Sequence, residues 1–202
     1  MIRVFLISLL ILASSRGSAE SVCYGTTSSG WLKDGVQLPS NGPNFASYGI
    51  VPEVAGRTYV HSKVREVMVV AYRLLETAQP GKVFKYAETG FEEGGQFKPN
   101  KTHRNGLLVD FMVPVVDAAG NSVQLPTHPF NKYGYAIEFD ADGRFEDYTI
   151  DYEALSAHIV SLHKAAKQTG IGIWRVIFDP RLAPYLYETQ YGEYIREKIV
   201  IP

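Results

Sequence analysis

The sequence is poor in several features that would assign it to a well-marked class of protein. Its 202 residues include one cysteine, and 20 Lys and Arg nearly balance 21 Asp and Glu, which gives a formal net charge of −1. It has no run of basic residues and no acidic tail. Nonspecific nucleic-acid binding needs concentrated positive charge, so no nucleic-acid partner is expected.

The composition is that of one folded domain. Hydrophobic residues make up 46% and charged residues 20% of the chain, which is typical of globular rather than disordered proteins. A chain of this length is ample for one domain and short for two.

Residues 1–19 are predicted to be a secretory signal peptide. Arg3 supplies positive charge, residues 4–13 are almost wholly apolar, and Gly17-Ser18-Ala19 offers small residues for cleavage. The apolar run is about half of the roughly 20 residues that a membrane span needs, and no later segment is long and apolar enough. We therefore expect a mature chain of residues 20–202 that works outside the cytoplasm, with no stable membrane insertion. A lone Cys23 in that oxidising compartment suggests an intermolecular disulfide, a free thiol or a missing partner.

Two helices are indicated by apolar residues at helical spacing. The first is predicted over 62–78 with Ser62 as its N-cap, and the second over 151–169 with Asp151 as its N-cap and Gly170 as its stop. Short helical turns are expected between 181 and 188. Strands are predicted at 83–87, 107–113, 135–139, near Tyr148, and at 171–178. Helices and strands do not alternate regularly, which favours a single α+β domain.

The most informative stretch contains His103 and Asp110. Asp110 lies in an apolar run, where a carboxylate must be paired, protonated or bound to a metal. Seven residues on a continuous strand would place the two side chains on opposite faces, but Asn105-Gly106 can bend the chain and bring His103 back. Imidazole and carboxylate are both zinc ligands, so this spacing is compatible with part of a catalytic zinc site. The alternative is a loop histidine beside an aspartate paired with an arginine.

The other histidines do not obviously complete a site. His158 and His163 lie about 140° apart on the second helix and cannot share one metal, so we expect them at the edges of a packed helix. His61 is placed to help cap the first helix, and His128 lies in a loop from which it could reach the site. Signatures of serine hydrolases, phosphate-binding loops and His-Glu-x-x-His helices are lacking, and Cys23 has no context that marks a nucleophile.

The segment 88–113, ETGFEEGGQFKPNKTHRNGLLVDFMV, resembles the metal-binding segment of the penicillin-insensitive murein endopeptidases, zinc peptidases related to D-alanyl-D-alanine peptidases. Three further segments resemble the same family: CYGTTSSGWLKDGVQLP near the mature N-terminus, YVHSKVREVMVVAYRLL in the first helix, and RVIFDPRLAPYL near the end of the chain.

The resemblance implies a single α+β domain with a small antiparallel sheet flanked by helices, similar to the D-Ala-D-Ala metallopeptidases. It also implies a periplasmic zinc endopeptidase, a cell-wall hydrolase that cuts the peptide cross-links of peptidoglycan by water that the metal activates. Its partners would be peptidoglycan stem peptides. His103 and Asp110 match the first two zinc ligands of the family. Glu88 and Lys101 are candidates for contacts with the ligands or the substrate.

The sequence departs from the family in two places. Asn100 stands where the family has a second histidine, and no histidine follows His163, although the family takes its third ligand from a His-x-His on a last strand. The expectation is therefore a domain that is incomplete at its C-terminus, with its general base unassigned and a possible partner of Cys23 absent. The alternative function is a non-catalytic peptidoglycan-binding protein or an inactive or truncated homologue.

Overall fold

The computed structural model describes residues 20–202, and the predicted signal peptide, residues 1–19, lies outside them. The α-helices are α1 Ile50–Val54, α2 Ser62–Ala78, α3 Tyr152–Gln168, α4 Ala183–Tyr187 and α5 Gly192–Lys198. The strands are β1 Val22–Gly25, β2 Gly30–Lys33, β3 Val36–Gln37, β4 Asn41–Gly42, β5 Phe45–Ser47, β6 Tyr59–Val60, β7 Phe84–Tyr86, β8 Phe111–Met112, β9 Val115–Val116, β10 Ser122–Val123, β11 Arg144–Phe145 and β12 Tyr148–Ile150. This is an α+β fold with small, mainly antiparallel sheets, which confirms the predicted fold class. Within residues 20–202, no helix combines the length and the apolar character that crossing a membrane requires.

The two long helices, α2 and α3, pack against each other and form the centre of the molecule. Val67 and Ala71 of α2 meet Ala165 and Ala166 of α3, and these small side chains allow the helices to approach closely. The N-terminus of α3 is capped by the Asp151 carboxylate, which accepts a hydrogen bond from the backbone N–H of Ala154 at 3.0 Å. The predicted N-cap of α2 was wrong by one residue.

That N-cap is His61, whose Nδ1 accepts a hydrogen bond from the backbone N–H of Lys63 at 3.1 Å. Ser62 is already the first helical residue, and its hydroxyl instead accepts a hydrogen bond from the Ser21 N–H at 3.1 Å. The capping role expected for His61 is therefore confirmed.

A four-stranded sheet in the order β4-β5-β7-β8 lies against α2 and carries the candidate site. The β5–β7 pair is parallel and the other pairs are antiparallel. Phe84 and Tyr86 point from β7 into a core that includes Leu75 of α2, and all three are almost fully buried. Burying these large apolar side chains is worth roughly 1.5–3 kcal/mol each.

A second four-stranded sheet, ordered β10-β9-β12-β11, is antiparallel throughout. Its central strand β12 joins a separate core with the last helices. That core contains Ile150, Leu155, Ile159, Val160, Leu182, Leu186, Ile195 and Ile199. The helical turns predicted between 181 and 188 are confirmed by α4.

Three predicted strands were wrong in whole or in part. Of 107–113 only Phe111–Met112 forms a strand, and 135–139 follows a short 3-10 helix at Pro129–Gly134 instead of entering a sheet. The segment 171–178 forms no strand, although the Val176 N–H donates to the Val200 carbonyl at 2.9 Å. Apolar runs alone cannot specify a strand, because a strand also needs a neighbour with which to form its hydrogen-bond ladder.

Candidate metal site

A bend after His103 brings that residue back over the start of β8. Gly106 at the bend has φ +74, and a Cβ there would lie 2.7 Å from the backbone nitrogen of His61, so only glycine fits without movement. His103 itself has φ +66, which is uncommon for a residue with a side chain and is costly to hold. The turn predicted from Asn105-Gly106 therefore has the expected effect.

His103 and Asp110 lie side by side. The Nε2 atom of His103 is 3.3 Å from Oδ2 of Asp110, and the His103 side chain is only 3% exposed whereas the Asp110 side chain is 31% exposed. Asp110 lies just before β8 rather than inside a buried strand as predicted. Its main chain pairs with the end of β7, because its N–H donates to the Glu88 carbonyl at 2.9 Å and its carbonyl accepts from the Ala87 N–H at 2.7 Å.

The other ring nitrogen of His103 fixes the tautomer. Nδ1 lies 3.1 Å from the carbonyl oxygen of Thr89, which can only accept, so Nδ1 carries the hydrogen. That carbonyl is itself held in place, because the Thr89 hydroxyl donates to the Tyr59 carbonyl at 2.8 Å and the Thr89 N–H donates to the Arg57 carbonyl at 3.1 Å. In the neutral ring Nε2 therefore presents a lone pair to the carboxylate of Asp110.

Two electron-pair donors that face each other at 3.3 Å need a proton or a cation between or beside them. Two ligands of a tetrahedral zinc ion at its usual bond lengths of about 2.1 Å would lie roughly 3.4 Å apart. A buried histidine with its second nitrogen on a backbone carbonyl is also the arrangement that orients metal-binding histidines. In donor type, tautomer and spacing the pair is compatible with zinc, and it would account for two of the three protein ligands that a catalytic zinc site needs.

Tyr135 is the other direct partner of Asp110. Its hydroxyl donates to Oδ2 of Asp110 at 2.7 Å and accepts a hydrogen bond from the backbone N–H of Glu88 at 3.2 Å. Burial of the hydroxyl, together with the nearby Asp110 and Glu88 carboxylates, raises the pKa of Tyr135 far above its ordinary value. The hydroxyl therefore keeps its proton and acts as a donor to Asp110. The arginine partner of Asp110 that the alternative interpretation requires is replaced by a tyrosine and a histidine.

Behind the pair, Glu88 is buried in an ion pair with Arg57. The Arg57 guanidinium approaches Oε1 of Glu88 to 2.6 Å, and the Asn100 amide donates to Oε2 at 2.5 Å. Asn100 thus holds the Glu88 carboxylate. Since both oxygens of Glu88 are engaged inside the protein, Glu88 supports the site and is not free to contact a substrate.

Aromatic packing connects this ion pair to the buried side of His103. The Arg57 guanidinium lies over the ring of Phe97 at 4.0 Å, and the Phe97 ring centroid lies 5.3 Å from that of His103. Phe97 is fully buried. Water is thereby excluded from one side of the imidazole, and the solvent-exposed part of the pair is the Asp110 side chain.

The remaining sequence candidates lie apart from this pair or serve the fold. His158 and His163 point in different directions from α3, His158 among aromatic rings and His163 with Nδ1 2.9 Å from the Tyr194 hydroxyl. Both are buried rather than at the edge of the helix. His128 is exposed at the start of the 3-10 helix, Lys101 is exposed, and Cys23 is a free, partly exposed cysteine on β1. Over residues 20–202, no three His, Cys, Asp or Glu residues are grouped to hold a metal ion.

Sequence reasoning missed Tyr135, Thr89 and Arg57. Tyr135 was assigned to a strand, although Asn131 and Gly134 before it are turn formers and signalled irregular backbone. Thr89 acts through its backbone carbonyl, and Arg57 acts through a largely buried ion pair with Glu88. Neither contact has a local signal in the sequence. We found no known protein-family model that matches the chain, and no curated protein that matches it.

Proposed function

We propose that this protein is a zinc-dependent endopeptidase that hydrolyses the peptide cross-links of peptidoglycan in the periplasm. The observation that carries the proposal is the pairing of the His103 Nε2 lone pair with the Asp110 carboxylate at 3.3 Å, with Nδ1 held on the Thr89 carbonyl. This is the donor set expected of the first two ligands in the family that the sequence resembles. The finer likeness to a D-Ala-D-Ala metallopeptidase fold is part of this proposal.

Zinc, when bound, would supply a Lewis acid that polarises a peptide carbonyl and lowers the pKa of water to about 7. His103 would hold it through Nε2 and Asp110 through its carboxylate. Thr89 keeps the proton on Nδ1 of His103, so that Nε2 stays free to bind. Phe97 excludes water from the buried side of the ring, and a substrate peptide would have to approach from the side of the partly exposed Asp110.

The substrate class is inferred from the sequence. Four segments of residues 20–202 resemble murein endopeptidases, and residues 1–19 have the pattern of a secretory signal. A cell-wall peptide is the substrate that such a protein would meet after export. No serine nucleophile is involved, so penicillin would not block the reaction.

A second candidate function is peptidoglycan binding without cleavage. It is favoured by one observation, that the described residues 20–202 hold no third His, Cys, Asp or Glu grouped with the pair. Two ligands alone would hold zinc weakly, and stem peptides could then bind next to the partly exposed Asp110 without being cut.

The two functions are separated by incubating the purified protein with cross-linked muropeptide dimers and following monomer release by chromatography. If the protein is a zinc endopeptidase, cleavage should continue in the presence of penicillin, stop when metal is removed by a chelator and return when zinc is added. His103→Ala should abolish cleavage, while His163→Ala, a histidine substitution away from the site, should leave it intact. Binding of dimers with no release of monomers would favour the second function. Cleavage that survives in His103→Ala would refute the metallopeptidase proposal.

A further inference from the structure

The hydroxyl of Tyr135 donates one hydrogen bond and accepts another within the protein, although the residue as a whole is 41% exposed. A phenol has one hydrogen to donate, and here it goes to Oδ2 of Asp110 at 2.7 Å, while the Glu88 N–H occupies an acceptor position at 3.2 Å. A group with both roles filled by the protein is poorly placed to act on a substrate. It is well placed to hold a carboxylate in one orientation.

The backbone that presents Tyr135 is held in an unfavourable conformation. Lys132 and Tyr133 lie within the segment assigned to the 3-10 helix, but their φ angles are 51° and 56°. These values belong to the left-handed region, which residues with side chains rarely adopt. Such backbone persists only where its surroundings determine it, and it is concentrated at functional sites.

The side chain of Asn131 provides that constraint. Its Oδ1 accepts hydrogen bonds from the N–H groups of His128 and Gly134, both at 3.0 Å, and its Nδ2 donates to the Pro126 carbonyl at 2.7 Å. Three hydrogen bonds from one amide therefore close the loop immediately before Tyr135. The loop is built to place the phenol, although its chain position is 25 residues from Asp110.

Among residues 20–202, the Tyr135 hydroxyl is the side-chain donor that fixes the orientation of the Asp110 carboxylate. Its side chain is 31% exposed, and its Oδ2 lies closer to the Tyr135 hydroxyl, at 2.7 Å, than to Nε2 of His103, at 3.3 Å. Without the phenol, the carboxylate would turn toward water rather than share an ion with Nε2. Asp110 is thus the flexible half of the pair, and His103, buried and anchored at Nδ1, is the rigid half.

We propose that Tyr135 is a positioning residue that orients the Asp110 carboxylate toward His103 for metal binding, through a loop locked by Asn131. This inference rests on the proposed function, since it assigns a role at the same site. It adds a residue that neither composition nor spacing identifies.

The test compares metal binding by the full chain and its variants, with zinc and cobalt(II) as the probes. Zinc affinity is measured by competition with a chromophoric chelator, and the ligand-field absorption of bound cobalt(II) reports the geometry around the metal. Tyr135→Phe should weaken zinc binding about 10–100-fold, the usual cost of losing a group that orients a ligand, and should change the cobalt spectrum. Tyr133→Phe is the matched control, because the described residues provide no hydrogen bond to its hydroxyl, and it should behave as the unaltered protein does.

A second variant guards against loss of fold. Asn131→Ala keeps the phenol but releases the loop, and it should weaken zinc binding less than Tyr135→Phe does, with thermal unfolding of the metal-free proteins measured in parallel. If Tyr135→Phe binds zinc as tightly as the unaltered chain and gives the same cobalt spectrum, this inference alone is overturned. Absence of zinc binding by the unaltered chain would overturn the proposed function and this inference together.

Discussion

The molecule contains two buried histidines in opposite surroundings. His103 is 3% exposed and lies in a bent loop with positive φ, where both ring nitrogens face polar atoms. His158 is 2% exposed and lies on the regular helix α3, with ring centroids of Phe111 and Phe84 at 4.7 and 5.0 Å. Among residues 20–202, no hydrogen-bond partner is found for Nε2 of His158.

The difference shows that burial alone does not separate a candidate metal-binding histidine from a core histidine. Burial without a polar partner lowers the pKa of His158 to about 3, so this side chain acts as a neutral part of the core. His103 is surrounded by groups that fix its tautomer and direct its lone pair. The candidate site therefore combines left-handed backbone at His103 with directed hydrogen bonds, whereas His158 is surrounded by aromatic packing.

The largest expected effect on stability lies in the core near His158. Leu75→Ala removes a fully buried side chain of α2 and leaves a cavity, and we expect the free energy of unfolding to fall by about 4 kcal/mol. Urea denaturation measures it. The same substitution at the exposed Leu107 should cost far less, and equal losses at the two positions would contradict the assigned core.

The next effect lies behind the candidate site. Arg57→Met leaves the buried Glu88 carboxylate without its cation, and we expect a loss of about 3 kcal/mol in the free energy of unfolding. Arg57→Lys retains a positive charge but not the planar fork, so its loss should be intermediate. If Arg57→Met unfolds at the same urea concentration as the unaltered protein, the ion pair does not support the site.

The pH dependence of stability should reveal the burial of His158. The folded pKa of His158, about 3, lies below the unfolded value of about 6.5, so the unfolded state takes up the proton first. Its contribution is complete above pH 6.5 and is lost as the pH falls toward 3, which amounts to about 2 kcal/mol by pH 5.

His158→Leu removes this contribution to stability. Between pH 7 and pH 5 its free energy of unfolding should therefore fall by about 2 kcal/mol less than that of the unaltered protein. Urea denaturation at the two pH values supplies the comparison. Identical pH dependence in the two proteins would show that His158 is not a neutral core residue.

The smallest effect concerns the helix that carries His158. Lys82, in the connection between α2 and β7, lies 2.5 Å from the Asp151 carboxylate that caps α3. Lys82→Met should lower the free energy of unfolding by about 1 kcal/mol, and added salt should reduce the difference. Lys63→Met breaks a more exposed pair with Glu66 and serves as the control, with a smaller expected loss. Equal losses would mean that the Lys82 pair adds nothing specific to α3.

The sequence was sufficient to predict the long helices and one contact of the candidate metal site. The apolar stripe and the caps of α2 and α3 are local signals, and both helices begin and end within one residue of their predicted bounds. The approach of His103 to Asp110 followed from the Asn105-Gly106 bend, which is also local. The metal-binding role of the pair stays a prediction.

The strands and the rest of the site depend on distant residues. Residues 171–178 are apolar, yet they find no ladder and leave Trp174 and Ile177 exposed. Tyr135 reaches Asp110 from a loop whose conformation is set by the side chain of Asn131, and no periodicity encodes that. Pairing and burial of this kind arise only when the chain is folded.

The zinc content of the purified protein, measured by atomic emission after dialysis at defined free zinc, tests directly whether His103 and Asp110 hold a metal ion. We predict one zinc per chain in the unaltered protein and in His158→Leu, and a loss of zinc in His103→Ala and Asp110→Asn, with all four proteins folded by circular dichroism. Zinc that remains in His103→Ala, or a folded unaltered protein that binds none, would contradict the assignment of His103 and Asp110 as metal ligands.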